Sequence, residues 1–464
     1  MRKSGKQQKN KNQINMFNWK KPVQETYGVT GEETETGDEL QWLLERERAL
    51  SANIMERIID HVNLNRAFNQ VVSNHGTSGE DGMDIEDFKK WYSKGIEPLR
   101  KALLSETYKV SPVVKVEIPK VTGGTRVLGI PTVIDRFIQQ AIHQELNKHY
   151  EPYFSESSYG FRPGRGAHQA IEQSSKYIKE GKEWVVDIDL ENFFDTINHD
   201  RLMQRISKRI SDKRLLRLIK AFLQAGMMEG GFVEQRISGT PQGGPLSPLL
   251  SNIVLDELDR ELESRGHSFC RYADDCNIYV KSRKAGERVL EKTVKFIEQK
   301  LKLKVNRTKS GVRHCSEVKF LGHTIMSDGK VRVADKSIDR FKDKVRLITK
   351  RNRGVRFEQI NKELNLLVKG WSEYYKLVNT WLINQRDIDC WIRRKVRCYR
   401  LKQCGRKYTI VKLLKSMGCS EKKAWNVAIY SQGWWAMSKK PAVNHAMNVK
   451  WFTQQGLLSL HKGY

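Results

Sequence analysis

The sequence lacks a membrane-spanning segment, a signal peptide and the paired cysteines that are typical of disulfide-bonded or zinc-binding proteins. Its seven cysteines are odd in number and include no CxxC pair, and the basic start, MRKSGKQQKNKNQ, is not followed by the apolar stretch of a signal peptide. No apolar run approaches ~18 residues, the length that a membrane-spanning helix needs. These absences predict a cytoplasmic protein with free thiols and no membrane partner.

Acidic residues are scarce relative to basic ones. The 464 residues, enough for two to four domains, hold 83 Lys and Arg against 54 Asp and Glu, a formal net charge of +29. This excess is well above what solubility requires and indicates a polyanionic partner such as nucleic acid. It is concentrated at one end, since residues 336–464 hold 29 basic and 8 acidic side chains, a net of +21.

Tryptophans are interspersed with the basic residues of this last region. Cations next to aromatic rings suit phosphate contacts and base stacking, which favours nucleic-acid binding. The alternative is that each ring belongs to a hydrophobic core, and for any single tryptophan this is the preferred interpretation. The tryptophans concerned are Trp371, Trp381, Trp391, Trp425, Trp434, Trp435 and Trp451.

Hydrophobic periodicity predicts an α+β region followed by an all-α region. The polar residues 1–38 are expected to be a tail, and Glu39–Asn74 is helical in pattern. Strands are predicted at 113–118, with a hairpin turn at TGGTR and a return through VLGI, and at 184–190. A helix is predicted at 134–150, another around DELDRELESR, and two short strands around a tight turn in FCRYADDCNIYV. After Lys336 the pattern is almost entirely helical.

Asp189 ends the apolar run VVDIDL, so its carboxylate is expected to emerge at the end of a central strand, where a site can form. Asp187 lies two residues earlier, on the same strand face. A carboxylate buried without a partner is very costly, so such a group usually meets a metal, a cation or hydrogen-bond donors. The alternative is a structural acid that caps the segment ENFFDTINHD.

Asp274 and Asp275 are adjacent at the tip of the predicted hairpin. Two like charges this close raise each other's pKa unless a cation intervenes. The preference of Asp for turns explains one aspartate better than two between such apolar strands. Oxygen-only ligands select Mg²⁺ or Mn²⁺, so these residues together with Asp189 predict a two-metal centre for nucleotidyl transfer.

Several ordered segments resemble those of bacterial group II intron-encoded reverse transcriptases with maturase function. The segments are NLNRAF with NHGTSGEDG, KVEIPK, TRVLGIPTVIDRFIQQAI, SYGFRPGRGAH, DLENFFDTI, GTPQGGPLSPLLSNI, YADD, VNRTKS and FLGH, in the family's order between residues 60 and 325, with VKGWSEYY beyond them. The resemblance implies a right-hand polymerase fold, with fingers and an antiparallel palm sheet, followed by a helical thumb or maturase domain.

The resemblance also implies roles for individual residues. Asp189, Asp274 and Asp275 become the catalytic acids, and with the carbonyl of Leu190 they become the ligands of two Mg²⁺ ions. Contacts to the incoming dNTP are expected from Lys120, Arg126, Gln242, Lys309 and Phe194, the last as a steric gate under the sugar 2′ position because it follows Asp189 by the family's spacing. Template or RNA contacts are expected from Arg162, Arg165, Arg393, Arg394, Lys395 and Arg397.

The expected organisation is a tail at 1–38, a helical extension at 39–110, fingers and palm at 111–335, a thumb or maturase domain at 336–400 and a basic Trp-rich region at 401–464. The expected partners are intron RNA, an RNA template with a DNA primer, target DNA and dNTPs. The chain shows no HNH-type cluster of cysteines and histidines, so the resemblance implies priming from a nick or a replication-fork strand. His168, His199 and His323 have no partners at zinc spacing.

Two alternatives remain at this point. One is a domesticated or defence-associated reverse transcriptase of the retron or diversity-generating type, although these usually lack so long a maturase-like end. The other is an RNA-binding splicing factor without polymerase activity, which the presence of all three acids disfavours.

Overall fold

The computed structural model describes residues 53–119, 125–229, 232–234, 239, 243–378 and 385–460. The predicted tail at 1–38 and the first part of the helical pattern from Glu39 lie outside this range. The chain divides into two compact units. The first contains the residues up to Ala170 together with Asp187–Ile278 and Arg288–Gly311, and the second contains Ile171–Val186, Tyr279–Glu287 and Val312–Tyr464.

Helices make up most of the described chain. In chain order they are α1 Ile54–Ile58, α2 His61–Ser73, α3 Ile85–Ser93, α4 Glu97–Leu104, α5 Val133–Tyr150, α6 Ala167–Lys179, α7 Phe193–Thr196, α8 His199–Ser207, α9 Lys213–Gln224, α10 Ser247–Ser264, α11 Arg283–Phe296, α12 Asp335–Ile348, α13 Phe357–Tyr374, α14 Gln385–Cys404, α15 Lys407–Ser416, α16 Glu421–Tyr430, α17 Gly433–Met437, α18 Pro441–Ala446 and α19 Val449–Gln454. Single 3₁₀ turns lie at Glu151–Tyr153 and Cys315–Glu317, and α11 continues into a π-helical turn at Ile297–Leu301.

The strands are short and lie mostly in the middle of the chain. They are β1 Val113–Pro119, β2 Thr125–Ile130, β3 Trp184–Ile188, β4 Met227–Glu229, β5 Phe232–Glu234, β6 Ser268–Tyr272, β7 Asp275–Val280, β8 Gly311–His314, β9 His323–Ile325 and β10 Val331–Val333. The α+β class predicted for this part of the chain is confirmed.

The helical pattern that the sequence extends from Glu39 to Asn74 is divided where the structure describes it. Helix α1 ends at Ile58, and the carboxylate of Asp60 accepts the backbone N–H of Val62 to start α2. An Asp at this position satisfies one of the N–H groups that a helix start leaves without a partner. The apolar residues of the pattern still face inwards, since Ile54, Ile58 and Leu64 are fully buried.

The predicted hairpin of β1 and β2 is confirmed, with antiparallel pairing from Val114 opposite Ile130 to Pro119 opposite Thr125. The hairpin belongs to a four-stranded sheet of order β2–β1–β4–β5. Strand β4 pairs parallel to β1, with Val113 opposite Met227, and β5 pairs antiparallel to β4. The sequence did not predict β4 and β5, because each is only three residues long and their pairing with β1 joins distant parts of the chain.

A second four-stranded sheet has the order β6–β7–β3–β8. The buried strand predicted at 184–190 is β3, and the two strands predicted around the turn of FCRYADDCNIYV are β6 and β7. Because β7 is the neighbour of β3, two sequence segments that lie far apart are placed side by side. This neighbourhood is what brings the predicted acidic residues into one region.

The second unit has a helical core that runs from β10 to the end of the described chain. Leu364 on α13, Val396 on α14 and Leu414 on α15 are fully buried members of this core, which extends from Val333 to Leu460. The predicted boundary between residues 400 and 401 lies within α14, and side chains on both sides of it join the same core. The helical character predicted after Lys336 is confirmed.

All seven cysteines are free thiols, as predicted. Among the described residues, no helix combines the length and the apolar character that crossing a bilayer requires.

Candidate active site

Asp189 lies one residue beyond the end of β3. Its backbone N–H donates to the hydroxyl of Ser310 at 3.0 Å, and its carbonyl accepts the N–H of Asn306 at 2.9 Å. The next residues pair with the same distant segment, because Leu190 bridges Val305. The VNRTKS segment therefore holds the backbone of Asp189 at the end of β3 by hydrogen bonds. This fixes the point from which the Asp189 side chain extends.

Asp274 and Asp275 lie where β6 turns into β7. Ala273, which precedes them, has a φ of 57°, in the left-handed region that residues other than glycine seldom occupy. Such a residue persists only where its surroundings hold it, and functional sites often contain one. Asp274 is half-buried, whereas Asp275 is open to solvent.

The acidic residues of β3 and of the β6–β7 turn are close enough to influence each other. Although part of the Asp275 side chain reaches solvent, protein surrounds most of its carboxyl group, and this desolvation, followed by the negative charges of Asp274, Asp187 and Asp189, raises the pKa of Asp275 to about 7. The ammonium of Lys309 opposes this effect, and its Nζ lies 3.2 and 3.3 Å from the two carboxylate oxygens of Asp189. A site with this excess of negative charge stabilises a cation.

Carboxylate oxygens are the donors that Mg²⁺ and Mn²⁺ prefer, so the composition of this cluster fits a hard divalent cation. In the described part of the chain, no three acidic, histidine or cysteine side chains are already grouped as ligands around one point. The carboxylates thus lie near one another, but they are not arranged as a complete set of metal ligands. Asp187, which the sequence placed on the same strand face as Asp189, contributes its charge to the cluster.

Phe193 and Phe194 open the short helix α7 beyond Asp189. Asn192, with a φ of 46°, turns the chain before this helix. Phe193 is buried and Phe194 is only half-buried, with the two rings edge-to-face at a centroid distance of 5.3 Å. Phe193 thus belongs to the core, and Phe194 is the ring of this pair that remains accessible.

The start of the GTPQGG segment is held by the residues that join α7 to α8. The N–H of Gly239 donates to the carbonyl of Ile197 at 2.8 Å, and the ring Nε2 of His199 donates to the carbonyl of Gly239 at 2.6 Å. Gly239 has a φ of +87°, and a Cβ there would lie 2.8 Å from the Cα of Asp195. Glycine is therefore required for this close approach.

The other residues predicted to bind the dNTP are only partly visible. Lys120 and Gln242 lie outside the described residues, and for Arg126 the structure describes the backbone, opposite Ile118 in the β1–β2 hairpin. Lys309 is placed beside Asp189, as described above. Among the predicted dNTP-binding residues, the structure therefore places Lys309 in direct contact with Asp189.

Arg162 and Arg165, predicted to contact the template, both bind within their own loop. The buried guanidinium of Arg162 forms an ion pair with Glu151 at 2.8 Å and donates to the carbonyls of Ser155 and Ser158. These contacts point to a structural role for Arg162 instead of the predicted template contact. Arg165 is more exposed and pairs with the exposed carboxylate of Glu156.

The four cations predicted on α14 have different surroundings. Arg394 stacks on the ring of Trp435 at 3.7 Å and donates to its carbonyl, and Lys395 lies 4.9 Å from the same ring. Arg397 donates to the carbonyl of Met447 at 2.9 Å, and burial lowers its pKa to about 10. Arg393 lines a cleft between α14 and α19. At least Arg394 and Arg397 therefore hold the helices after α14 in place.

The tryptophans of this region are mainly structural. Trp371 is buried in the core, and Trp391, Trp425, Trp434 and Trp451 pack against it, whereas Trp435 is 37% exposed. Trp381 lies outside the described residues. Among the described rings, the preferred interpretation as core residues is confirmed for all but Trp435.

Three buried residues around the β6–β7 turn were not predicted from the sequence. Arg271, Asn252 and Asp259 are at most 1% exposed, and Arg271 hydrogen-bonds to both of the others and to the carbonyl of Ala273. The signal was present in the strand FCRYADD, where a charged residue interrupts an otherwise apolar run. A buried arginine needs partners, but the sequence alone did not indicate which acid supplies them.

Comparison with known proteins agrees with this geometry. Residues 118–325 match the family described as reverse transcriptase (RNA-dependent DNA polymerase), and residues 338–416 match the group II intron, maturase-specific domain. Protein YkfC of Escherichia coli strain K12 is 34% identical over 289 residues, which cover 54% of this chain and 76% of that protein.

A second relative is named as a protein encoded by a group II intron. The group II intron-encoded protein LtrA of Lactococcus lactis subsp. cremoris is 30% identical over 340 residues, which cover 57% of this chain and 56% of LtrA. The chain thus spans little more than half the length of this relative. With both domain matches in the expected order, this chain belongs to the group II intron-encoded reverse transcriptases and carries a reverse transcriptase domain followed by a maturase domain.

Proposed function

We propose that this protein extends a DNA primer on an RNA template and binds intron RNA to assist its splicing, and that both activities together support intron mobility by target-primed reverse transcription. The observation that carries the polymerase activity is the gathering of Asp189, Asp274 and Asp275 beside Lys309. Two acidic segments brought together next to a cation suit the transfer of a phosphoryl group.

We assign Asp189, Asp274, Asp275 and the carbonyl of Leu190 as the residues that would hold two Mg²⁺ ions, for which Mn²⁺ can substitute. When bound, such ions activate a hydroxyl nucleophile and stabilise the charge of the leaving group. The protein itself supplies orientation. The β6–β7 turn and the end of the neighbouring strand β3 present the carboxylates, and the hydrogen bonds from the backbone of Asp189 to Asn306 and Ser310 hold the Asp189 backbone in place.

Lys309 and Phe194 are the described residues that we assign to the incoming dNTP. The side chain of Lys309 is 65% exposed, so its ammonium can exchange the contact with Asp189 for a phosphate oxygen. We assign the accessible ring of Phe194 as the gate under the sugar 2′ position. We retain Lys120 and Arg126 as triphosphate contacts and Gln242 as a nucleotide contact on the resemblance of their segments alone.

For intron RNA, we single out a group of exposed cations of the second unit that lies on the α15–α16 hairpin. The lysines Lys407, Lys412, Lys422 and Lys423 are exposed there. Tyr408 and Tyr430 are 69% and 73% exposed on the same two helices. Exposed cations next to exposed aromatic rings suit phosphate contacts and stacking on unpaired bases. These six residues form what we call the α15–α16 surface.

The direct test is to purify the protein from cells of its source, sequence the RNA that accompanies it, and supply an RNA template annealed to a DNA primer with dNTPs and Mg²⁺. We expect one structured intron RNA to be strongly enriched and the primer to be extended to the template's end. Enrichment without extension would leave only the splicing role, and extension without a specific RNA would favour a defence-associated or domesticated enzyme.

Neutralising the α15–α16 surface should separate the two activities. Replacing its four lysines with Gln should reduce the slope of log K against log salt for intron RNA by about 0.7–0.9 for each phosphate that the variant no longer neutralises. We expect splicing at physiological salt to fall by about tenfold or more, while extension of a short, saturating primer–template changes little. The binding slope is measured by titration with labelled intron RNA at several salt concentrations.

A matched control removes the same number of charges from another face. Lys284, Lys292, Lys295 and Lys300 are exposed on α11 and its π-helical continuation, and their replacement with Gln should leave the slope unchanged. These sets are more informative than Arg394 and Arg397 on α14, whose side chains support the fold. Equal slopes for both variants would refute the assignment of intron RNA to the α15–α16 surface.

A further inference from the structure

The residue directly before the YADD segment is a fully buried arginine. Arg271 and its partner Asp259 are both 0% exposed and form a two-pronged ion pair, with Nε 2.7 Å from one carboxylate oxygen and Nη2 2.6 Å from the other. Removing two charges from water is expensive, and an apolar pair of similar volume is often as stable or more so. Stability alone therefore gives no reason for an ion pair at this position.

The remaining donors of this guanidinium show what the charge is used for. Nη1 donates to the carbonyl of Ala273 at 2.9 Å and to Oδ1 of Asn252 at 3.0 Å, and Nη2 donates to the hydroxyl of Ser158 at 2.8 Å. All five N–H groups of the side chain thus have an acceptor. One of these acceptors is the carbonyl of the peptide that joins Ala273 to Asp274.

The carbonyl that Arg271 holds belongs to Ala273, the residue with the strained backbone conformation. Ala273 has a φ of 57°, and its left-handed conformation determines the direction in which the following carboxylates leave the turn. A rigid planar fork with five fixed donors can hold a carbonyl in one orientation, whereas a lysine ammonium cannot reproduce this geometry. Arg271 is therefore positioned to stabilise the strained β6–β7 turn through its hydrogen bond to the carbonyl of Ala273.

Asn252, a partner of Arg271, also connects the β6–β7 turn to the SYGF segment. Asn252 accepts from Arg271 and donates through Nδ2 to the carbonyl of Gly160 at 2.9 Å. A Cβ on Gly160 would lie 2.4 Å from the backbone N of Ala273, so the SYGF segment packs directly against the turn. Asn252 and Asp259 are seven residues apart on α10, which places both on one helix face.

We propose that Arg271, oriented by Asp259 and Asn252, is a positioning residue for nucleotidyl transfer. It holds the Ala273–Asp274 peptide in the left-handed turn and so aims Asp274 and Asp275 toward the reacting atoms. The inference rests on the proposed polymerase activity. It assigns to the buried ion pair a contribution to the rate of the chemical step that is separate from its contribution to folding.

The decisive variant removes the ion pair while keeping the volume of the side chains. In the double variant Arg271→Met with Asp259→Leu, no unpaired charge remains buried, so the melting temperature should fall much less than in Arg271→Met alone, although the acceptors on Ala273, Asn252 and Ser158 lose their donor. The affinity for an RNA template annealed to a DNA primer should be unchanged. The single-turnover rate of dNTP addition should fall by about 10²-fold, because Asp274 and Asp275 are no longer held in the orientation that the reaction needs.

A matched control removes a similar pair from the same helix. Arg205 and Glu257 form a two-pronged ion pair, with both distances 2.7 Å, between α8 and α10. The double variant Arg205→Met with Glu257→Leu should keep the original single-turnover rate. Arg271→Lys, which preserves the charge beside Asp259 but not the fork, should lose rate like the decisive variant while remaining folded.

The outcomes distinguish the polymerase activity from the positioning role. If the original protein does not extend the primer, the proposed function fails before the positioning role is reached. If it does, and either the Arg271→Met/Asp259→Leu variant or Arg271→Lys extends the primer at the original rate, the ion pair is merely structural. Should the double variant fail to fold, the single-turnover rate of Arg271→Lys decides.

Discussion

Replacing Asp274 with Ala should reduce primer extension by on the order of 10³-fold or more, because the substitution removes a carboxylate that we assign to both metal ions of the reaction. The affinity for a primer–template should change little, since Asp274 lies at the tip of one turn and not on the basic surfaces. The rate is measured as single-nucleotide extension of a DNA primer on an RNA template with saturating Mg²⁺ and dNTP.

The electrostatics of the cluster predict an accompanying change in stability. The negative charge of Asp274 contributes to raising the pKa of Asp275, so its removal relieves repulsion between neighbouring carboxylates in the folded protein. The melting temperature of Asp274→Ala should therefore be equal to or higher than that of the original protein, as is common where function opposes stability.

The control for this substitution is an acid away from the site. Asp200 on α8 has an 87% exposed side chain, and Asp200→Ala should keep the full extension rate. An Asp274→Ala variant that retains more than about a tenth of the activity would show that the metal ligands have been assigned to the wrong residues. An inactive variant with a lowered melting temperature would indicate a structural role for Asp274.

Phe194→Ala should raise the relative use of ribonucleotides by about 10²-fold, measured as the ratio of the incorporation efficiencies of an rNTP and the matching dNTP. The half-buried ring of Phe194 follows Asp189 by five residues and lies in the first turn of α7. An alanine in its place would remove the ring that we assign to excluding the 2′-hydroxyl. The extension rate with dNTPs should fall much less.

Phe193 supplies the matched control for the sugar gate. Its ring is only 3% exposed and meets that of Phe194 edge-to-face, so Phe193→Leu should lower the melting temperature without changing the rNTP to dNTP ratio. If instead Phe194→Ala leaves the ratio unchanged and Phe193→Leu alters it, the gate belongs to the neighbouring ring. No change in either variant would mean that α7 carries no gate.

Where the pattern along the chain was strong, the sequence predicted the structure well. The hairpin of β1 and β2, helix α5, strand β3 and the β6–β7 turn all lie where periodicity and turn residues placed them, because each is determined by local preferences. Prediction from the sequence was weaker for short strands and for breaks within a helical pattern. Strands β4 and β5 were missed, and Asp60 divides a pattern that is continuous in hydrophobicity.

The individual cations show the same limit. Their number and their concentration after residue 336 follow from the sequence, but a count of charges does not distinguish an exposed lysine from a buried arginine. Arg162 and Arg397 are held by carbonyls and a carboxylate of the protein itself, whereas Lys407 and Lys422 remain exposed. Which cations can meet a phosphate depends on packing between helices.

The sequence by itself determined the family to which this protein belongs, and it supplied Asp189, Asp274 and Asp275, the acids that we assign to the metal ions, in segments whose local structure is set by their own patterns. Only the tertiary structure decided how those residues are supported. The hydrogen bonds of Asp189 to Asn306 and of Arg271 to Ser158 join segments that are distant in the chain. Such contacts depend on sheet order and helix packing, which no local preference encodes.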